Sequence, residues 1–226
     1  MPLATILNIE TATTNCSVAL SKNGVTIAIL EDYDKKYSHA ERLHVYIDQI
    51  LKDQNIAVSE LDAIAVSKGP GSYTGLRIGV SAAKGLSFAL NLPLISVSTL
   101  ESLARQVHIE KGHIIPMLDA RRMEVYSAVF SHTYRCVRDT QAEILDESSF
   151  KSYLNLGKVH FIGNGVEKFE SIVDHENAVF IKGKLPSANE MSALAFDRFQ
   201  NKVFEDVAYF EPFYLKDFVA TKSGKV

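Results

Sequence analysis

The sequence predicts an α/β fold of two similar lobes, each a mixed sheet flanked by helices. Three observations carry this reading. Short β-rich runs alternate with stretches of helical periodicity. A glycine turn joins a strand to a helix in each half, at GPGSYTG (from Gly69) and at Gly163-Asn164-Gly165. The order of elements in residues 1–107 recurs in residues 108–207.

Residues 4–9 are an apolar run closed by the polar stretch 11–15. Runs 16–21 and 25–31 follow, separated by Lys22-Asn23-Gly24, and Asn-Gly between two β-rich runs marks a tight hairpin. Ser38 and Glu41 form a capping box, after which Leu43, Ile47, Ile50 and Leu51 recur at helical spacing. A strand at 63–67, the glycine turn, a helix over 76–90 and a strand at 94–97 come next. Ser98 with Glu101 opens a third helix that runs to 107. The second half reads as strands at 114–118, 124–131 and 135–145, a short helix at 149–155, a strand at 158–162, a helix at 166–173 and a strand at 178–181. Ser187 with Glu190 opens its last helix, with Met191, Leu194, Ala195 and Phe199 in phase. A strand-like run at 208–215 returns to the first lobe, with 208–218 assigned to it, and 219–226 forms a flexible tail. The plan that matches is the duplicated ribonuclease-H-like (actin/ASKHA-type) fold of actin, sugar kinases and heat-shock ATPases.

Composition narrows the function. With 46% hydrophobic and 23% charged residues the chain of 226 is an ordinary globular protein. No apolar run reaches the ~18 residues of a membrane span, and the start lacks a signal peptide's basic region, so a soluble cytoplasmic protein is expected. Two cysteines, Cys16 and Cys136, read as reduced, partly buried thiols. The net charge of −3, with scattered basic residues, does not predict unaided nucleic-acid binding.

GPGSYTGLRIG reads either as an anion cradle at a helix N-terminus or as a tight strand-to-helix connection. It ends Gly75-Leu76-Arg77 where a P-loop needs Gly-Lys-Ser/Thr, and Thr74 stands where the dinucleotide fingerprint needs glycine. Along the following helix Gly75, Gly79 and Ala83 recur every four residues, with Ala82 beside them. Glycine inside a helix costs about 0.5–1 kcal/mol, so close packing must offset it, against either the first helix or another subunit. His39 and His44, five apart, point about 140° from each other, which predicts no metal site. Glu10-Thr11 and Asp119-Ala120-Arg121 end corresponding first strands but lack the glycine of a phosphate turn, so plain hairpin turns are expected. No G-x-S-x-G elbow, H-E-x-x-H motif or paired carboxylates suggest catalytic residues.

ILNIETATTNCSVAL, KGPGSYTGLRIGVSAAKGLSFALNLPLISVSTLESLA, MLDARRMEVYSAVF, FIGNGVEKF and PFYL together resemble the bacterial TsaB (YeaZ) family over nearly the whole chain. The resemblance implies a subunit in making N6-threonylcarbamoyladenosine beside the tRNA anticodon. Its partners would be the homologous TsaD transferase and the TsaE ATPase, with tRNA contacted mainly through the complex. It implies a docking face on the first two helices: His39, Leu43, Ile47 and Ile50 from one, Leu76, Gly79, Ala82, Ala83 and Leu86 from the other. The same face would form a homodimer when the chain is alone. Family-motif loops that would face a nucleotide contain Glu10, Thr11, Gly69, Gly71, Ser72, Thr74, Gly75, Arg77, Asp119 and Arg121. No cofactor of its own and no metal are implied; ATP or ADP would lie at the interface with the partner. The family usually has Asp where Glu10 stands. The expectation is a non-catalytic, activating subunit; its rivals are a free-standing actin-fold ATPase, kinase or peptidase, and a tRNA-binding module.

Overall fold

The computed structural model describes residues 3–32 and 39–216. Sheet 1 has the order β3-β2-β1-β4-β5. Its strands are β1 (Thr5–Glu10), β2 (Cys16–Lys22), β3 (Val25–Asp32), β4 (Ala63–Gly69) and β5 (Leu94–Ser98). Sheet 2 has strands β6 (His113–Asp119), β7 (Glu124–Ser131), β8 (Cys136–Ile144), β9 (Val159–Ile162) and β10 (Ala178–Ile181), in the order β8-β7-β6-β9-β10. Position for position the two orders are the same, so the duplication read from the sequence is present in the topology. In each sheet the first three strands form an antiparallel meander and the last two run parallel to the first. The β2–β3 turn puts Asn23 (φ 52°) and Gly24 (φ 81°) in the left-handed region, which matches strand twist and explains the Asn-Gly signal.

The helices are α1 (His39–Asp53), α2 (Tyr73–Leu90), α3 (Thr99–Ala104), α4 (Lys151–Leu154), α5 (Val166–Glu170) and α6 (Ala188–Gln200). Leu43, Ile47 and Ile50 of α1 and Val80 and Ala83 of α2 bury against Leu7, Ile9 and Val66 on one face of sheet 1. The other face is covered from a distance in sequence. Ala188, Met191, Leu194 and Ala195 of α6 pack on Ile6, Ala63 and Ile95. The expected boundaries placed α6 in the second lobe, and the structure returns it to the first. Its N-terminus is fixed there: Ala188 N–H donates to Ser17 Oγ at 3.0 Å and Ser187 Oγ to Glu31 Oε2 at 2.8 Å. Conversely α3, assigned to the first lobe, lays Leu100, Leu103 and Ala104 on Ile114, Leu118 and Ile162 of sheet 2. Arg198 of α6 pairs with Glu101 of α3 at 2.9 Å, so the two exchanged helices meet between the lobes.

The capping boxes are half made. Ser98 Oγ accepts from Glu101 N–H at 3.4 Å, but the Glu101 carboxylate is drawn to Arg198. Ser187 Oγ accepts from Asn189 N–H, while Glu190 takes the Asn189 amide. Ser38 of the first box and the tail 219–226 lie outside the described residues. The run 208–215 is irregular rather than a strand. The Leu94–Glu205 bridge just before this run and the Phe213–Lys68 backbone bond within it join the region to sheet 1. Among the described residues no helix is long and apolar enough to cross a membrane.

Candidate functional site

Two concave surfaces meet at the first turn of α2. The first is a groove of about 770 Å³ on the outer side of α1 and α2, lined by Ala40 and His44 of α1 and by Tyr73, Thr74, Arg77 and further residues of α2. The second is a cleft of about 540 Å³ between the lobes.

The α1–α2 residues expected on an open face lie elsewhere. Leu43, Ile47, Ile50, Leu76, Gly79 and Ala83 are buried in the chain's own core, and His39 is 1% exposed. An amphipathic helix turns its apolar stripe to its own sheet, and the periodicity that marks the stripe does not name the body that covers it. The glycine spacing has an intramolecular cause. A Cβ on Gly75 would stand 2.1 Å from Thr11 O, and one on Gly79 2.2 Å from Thr11 Oγ1. Thr11 Oγ1 itself donates to Gly75 O at 2.8 Å. These glycines therefore let α2 press on the β1–β2 turn. His39 Nε2 lies 2.7 Å from Thr13 O, and burial lowers its pKa, whereas His44 is exposed; the two histidines do not converge.

What α2 leaves outside includes Thr74, Arg77, Ser81, Gly85, Phe88 and Ala89, with Ile78 and Leu86 half-covered at the groove and the buried Ala82 lining it. Phe88 is 83% exposed, and a Cβ on Gly85 would meet nothing within 4 Å. Thus α2 is small or apolar nearly all round, a pattern that belongs to a covered helix. Gly85, Phe88 and Ile78 are the part of this surface that the sequence reading missed. The four-residue spacing that singled out Gly79 passes over Gly85, whose signal is only a glycine inside a helix.

Of the loop residues expected to face a nucleotide, Gly71, Ser72, Thr74, Asp119 and Arg121 line the cleft. Glu10, Thr11, Gly69 and Gly75 are buried behind it, and Arg77 faces the groove instead. Glu10 is turned back on its own loop. Its Oε1 accepts from Ala12 N–H at 2.6 Å and from Ser67 Oγ at 2.8 Å, and burial raises its pKa to about 7. Ser72 N–H donates to Ala12 O at 2.6 Å, which closes the glycine turn onto the same loop. This supports the strand-to-helix connection over the anion cradle. Across the cleft, Asp119 Oδ1 accepts from Arg121 N–H at 2.6 Å and from Lys168 Nζ at 2.8 Å, and Asn164 Oδ1 accepts from Asp119 N–H at 2.9 Å. The Gly163-Asn164-Gly165 turn therefore serves the β6–β7 loop. Tyr126, Tyr214 and Lys216 complete the cleft, and the sequence marked none of them individually.

Cys16 is fully buried and Cys136 exposed, rather than both partly buried. Burial pushes the Cys16 thiol up to about 11 and also raises that of Cys136, so neither is an activated thiolate.

Residues 34–224 match the family model described as TsaD, tRNA N6-adenosine threonylcarbamoyltransferase. The chain is 32% identical over 225 residues to the tRNA threonylcarbamoyladenosine biosynthesis protein TsaB of Escherichia coli, covering 96% of each. It is 41% identical over 128 residues to that of Bacillus subtilis, covering 57% of this chain and 56% of the relative. The solved structure of YeaZ from Pseudomonas aeruginosa superposes with a TM-score of 0.81 at 28% identity, over 94% of this chain and all of that one. The duplicated actin-like topology and full-length similarity agree, and the chain belongs to the TsaB (YeaZ) family.

Proposed function

We propose that this chain is a non-catalytic subunit of the complex that places a threonylcarbamoyl group on N6 of the adenosine beside the anticodon in tRNA. The relatives named for threonylcarbamoyladenosine biosynthesis support the pathway, and the match to the transferase model supports kinship with the catalytic subunit. The observation that carries the subunit reading is the outer face of α2. A glycine in a helix interior costs about 1 kcal/mol, and nothing among the described residues packs on Gly85 to offset it. With exposed Phe88 and the groove beside it, the face suits a helix of another subunit, which approaches closely only where side chains are small.

In this reading a TsaD-like transferase subunit docks on α1–α2 and a TsaE-like ATPase acts with the pair. Alone, the chain pairs with a second copy through the same face, and tRNA is met through the complex. The chain holds no cofactor of its own; ATP or ADP belongs to the joint interface. The thiols raised by burial do not favour a peptidase.

Gly85→Leu tests the docking face. The substituted side chain enters open space and leucine is the better helix former, so the melting temperature is expected to hold or rise. Affinity for the TsaD-like subunit, read by titration calorimetry, is expected to fall at least tenfold. Binding at wild-type strength would move the interface off this face. Reconstituted transfer to tRNA from threonylcarbamoyl-adenylate should need this chain and should fall in step with the affinity.

A further inference from the structure

The arm 205–216 runs from sheet 1 to the second lobe. It leaves the free edge of β5 at the Leu94–Glu205 bridge and is clamped on α2 by Lys84, whose Nζ donates to Ala208 O at 3.2 Å and Phe210 O at 2.8 Å. Phe213 N–H then donates to Lys68 O at 2.7 Å. Gly69 (φ 108°) is what admits the arm there, since a Cβ on it would stand 2.9 Å from Phe213 O. From that point the arm crosses the mouth of the interlobe cleft. Phe213, Tyr214 and Leu215 line it, and Lys216 ends on the Glu124 carboxylate of β7 in the other lobe. Four consecutive residues thus touch β4, α2 and the second lobe.

The same arm reaches the docking groove. Tyr73 and Thr74 line both the groove and the cleft. The Tyr73 ring lies 5.1 Å from that of Tyr214. On its groove side Arg77 sits 5.3 Å from the ring centroid and donates to Tyr73 Oη at 2.8 Å. Arg77 is exposed, so a body seated in the groove meets it first.

We infer that residues 213–216 are a strap across the interlobe cleft, released when the α1–α2 groove is occupied, with Arg77, Tyr73 and Tyr214 as the link. This rests on the docking face proposed above. The strap suits release. Phe213, Tyr214 and Lys216 remain well exposed, and its latch to the second lobe is a surface ion pair, which is weak. A ligand shifts such an equilibrium by its different affinity for the two states, and the coupling is reciprocal.

Amide hydrogen exchange on the full chain, read by mass spectrometry, tests this. In the free chain, Lys216→Ala is expected to speed exchange in the segment 212–216 about tenfold, while β1, β4 and α6 keep their protection. Glu124→Gln should repeat the effect from the opposite lobe. Unchanged exchange in both variants overturns the strap. With a purified TsaD-like subunit bound to the wild-type chain, the same segment is expected to speed up about tenfold, and Lys216→Ala should bind that subunit about threefold more tightly. Binding with unchanged or slower exchange overturns the link. A subunit that fails to bind the wild-type chain at all refutes the docking face instead, and the free-chain response to Lys216→Ala then decides the strap alone.

Discussion

Gly79→Ala is expected to lower the melting temperature by about 8 °C, although alanine is the better helix former by about 1 kcal/mol. The added Cβ would stand 2.2 Å from Thr11 Oγ1, and Thr11 is fully buried. To make room, α2 is crowded against the β1–β2 turn and the threonine also turns away, giving up its 2.8 Å bond to Gly75 O. Overpacking costs about 1–3 kcal/mol and a broken buried hydrogen bond about as much, so the net loss is about 3 kcal/mol after the helix gain. For a protein of this size each kcal/mol is worth about 2–4 °C. Thr11→Ala removes the offending atom and leaves the next nearest, Thr11 Cβ, at 3.4 Å. The double variant should therefore regain most of what Gly79→Ala loses, a coupling that a double-mutant cycle in urea reads directly. Equal losses with and without Thr11 would show that the small residues face something else. Gly85→Ala, six residues on along the same helix, should instead stabilise the chain by about 0.5–1 kcal/mol, because its Cβ meets nothing.

That contrast shows where sequence reading reaches and where it stops. The β2–β3 hairpin was legible because Asn23 and Gly24 contain the whole cause, their left-handed dihedrals. The four-residue spacing of Gly75, Gly79 and Ala83 was legible as a demand for close approach. What approaches is Thr11, more than sixty residues earlier, and no local pattern names a long-range neighbour. The stripe Leu43, Ile47 and Ile50 marks the buried face of α1 but does not name its burier: the face that the family resemblance implies for a partner is core. The apolar phase of α6 was equally clear, yet its home on sheet 1 depends on the chain crossing back between lobes. The cleft was the least legible part. Phe213, Tyr214 and Lys216 have no periodicity, and they gain meaning only from Lys68, Tyr73 and Glu124 across the fold.

Glu10 ends β1 where a nucleotide-facing carboxylate is expected, and the structure turns it inward. The carboxylate expected to face a nucleotide is wholly buried and caps its own loop through Ala12 N–H. Oε1 accepts from Ala12 and Ser67, while Oε2 has no hydrogen-bond partner among the described residues, so desolvation outweighs the hydrogen bonds from Ala12, Ser67 and Thr11 and the pKa rises from 4.5 to about 7. At pH 4 the carboxyl is protonated in both folded and unfolded chains and contributes no pH dependence. As pH rises from about 4.5 to about 7 the unfolded chain gives up this proton and the folded chain holds it, so unfolding is favoured progressively. Above about 7 the full cost, about 3 kcal/mol, is in place. Glu10→Gln keeps the oxygen that Ala12 and Ser67 use and removes the charge. It should match the wild type near pH 4.5 and exceed its stability by about 3 kcal/mol at pH 8. Burial also raises Glu190, which adds to the fall with pH, and lowers His39, which opposes it. The informative quantity is therefore the difference between variant and wild type in urea unfolding at pH 5, 6, 7 and 8. A difference that grows with pH and levels off above 7 places a neutral carboxyl beneath the loop. A flat difference would mean that Glu10 is ionised in the folded chain, with a counter-charge or solvent reaching it from the cleft.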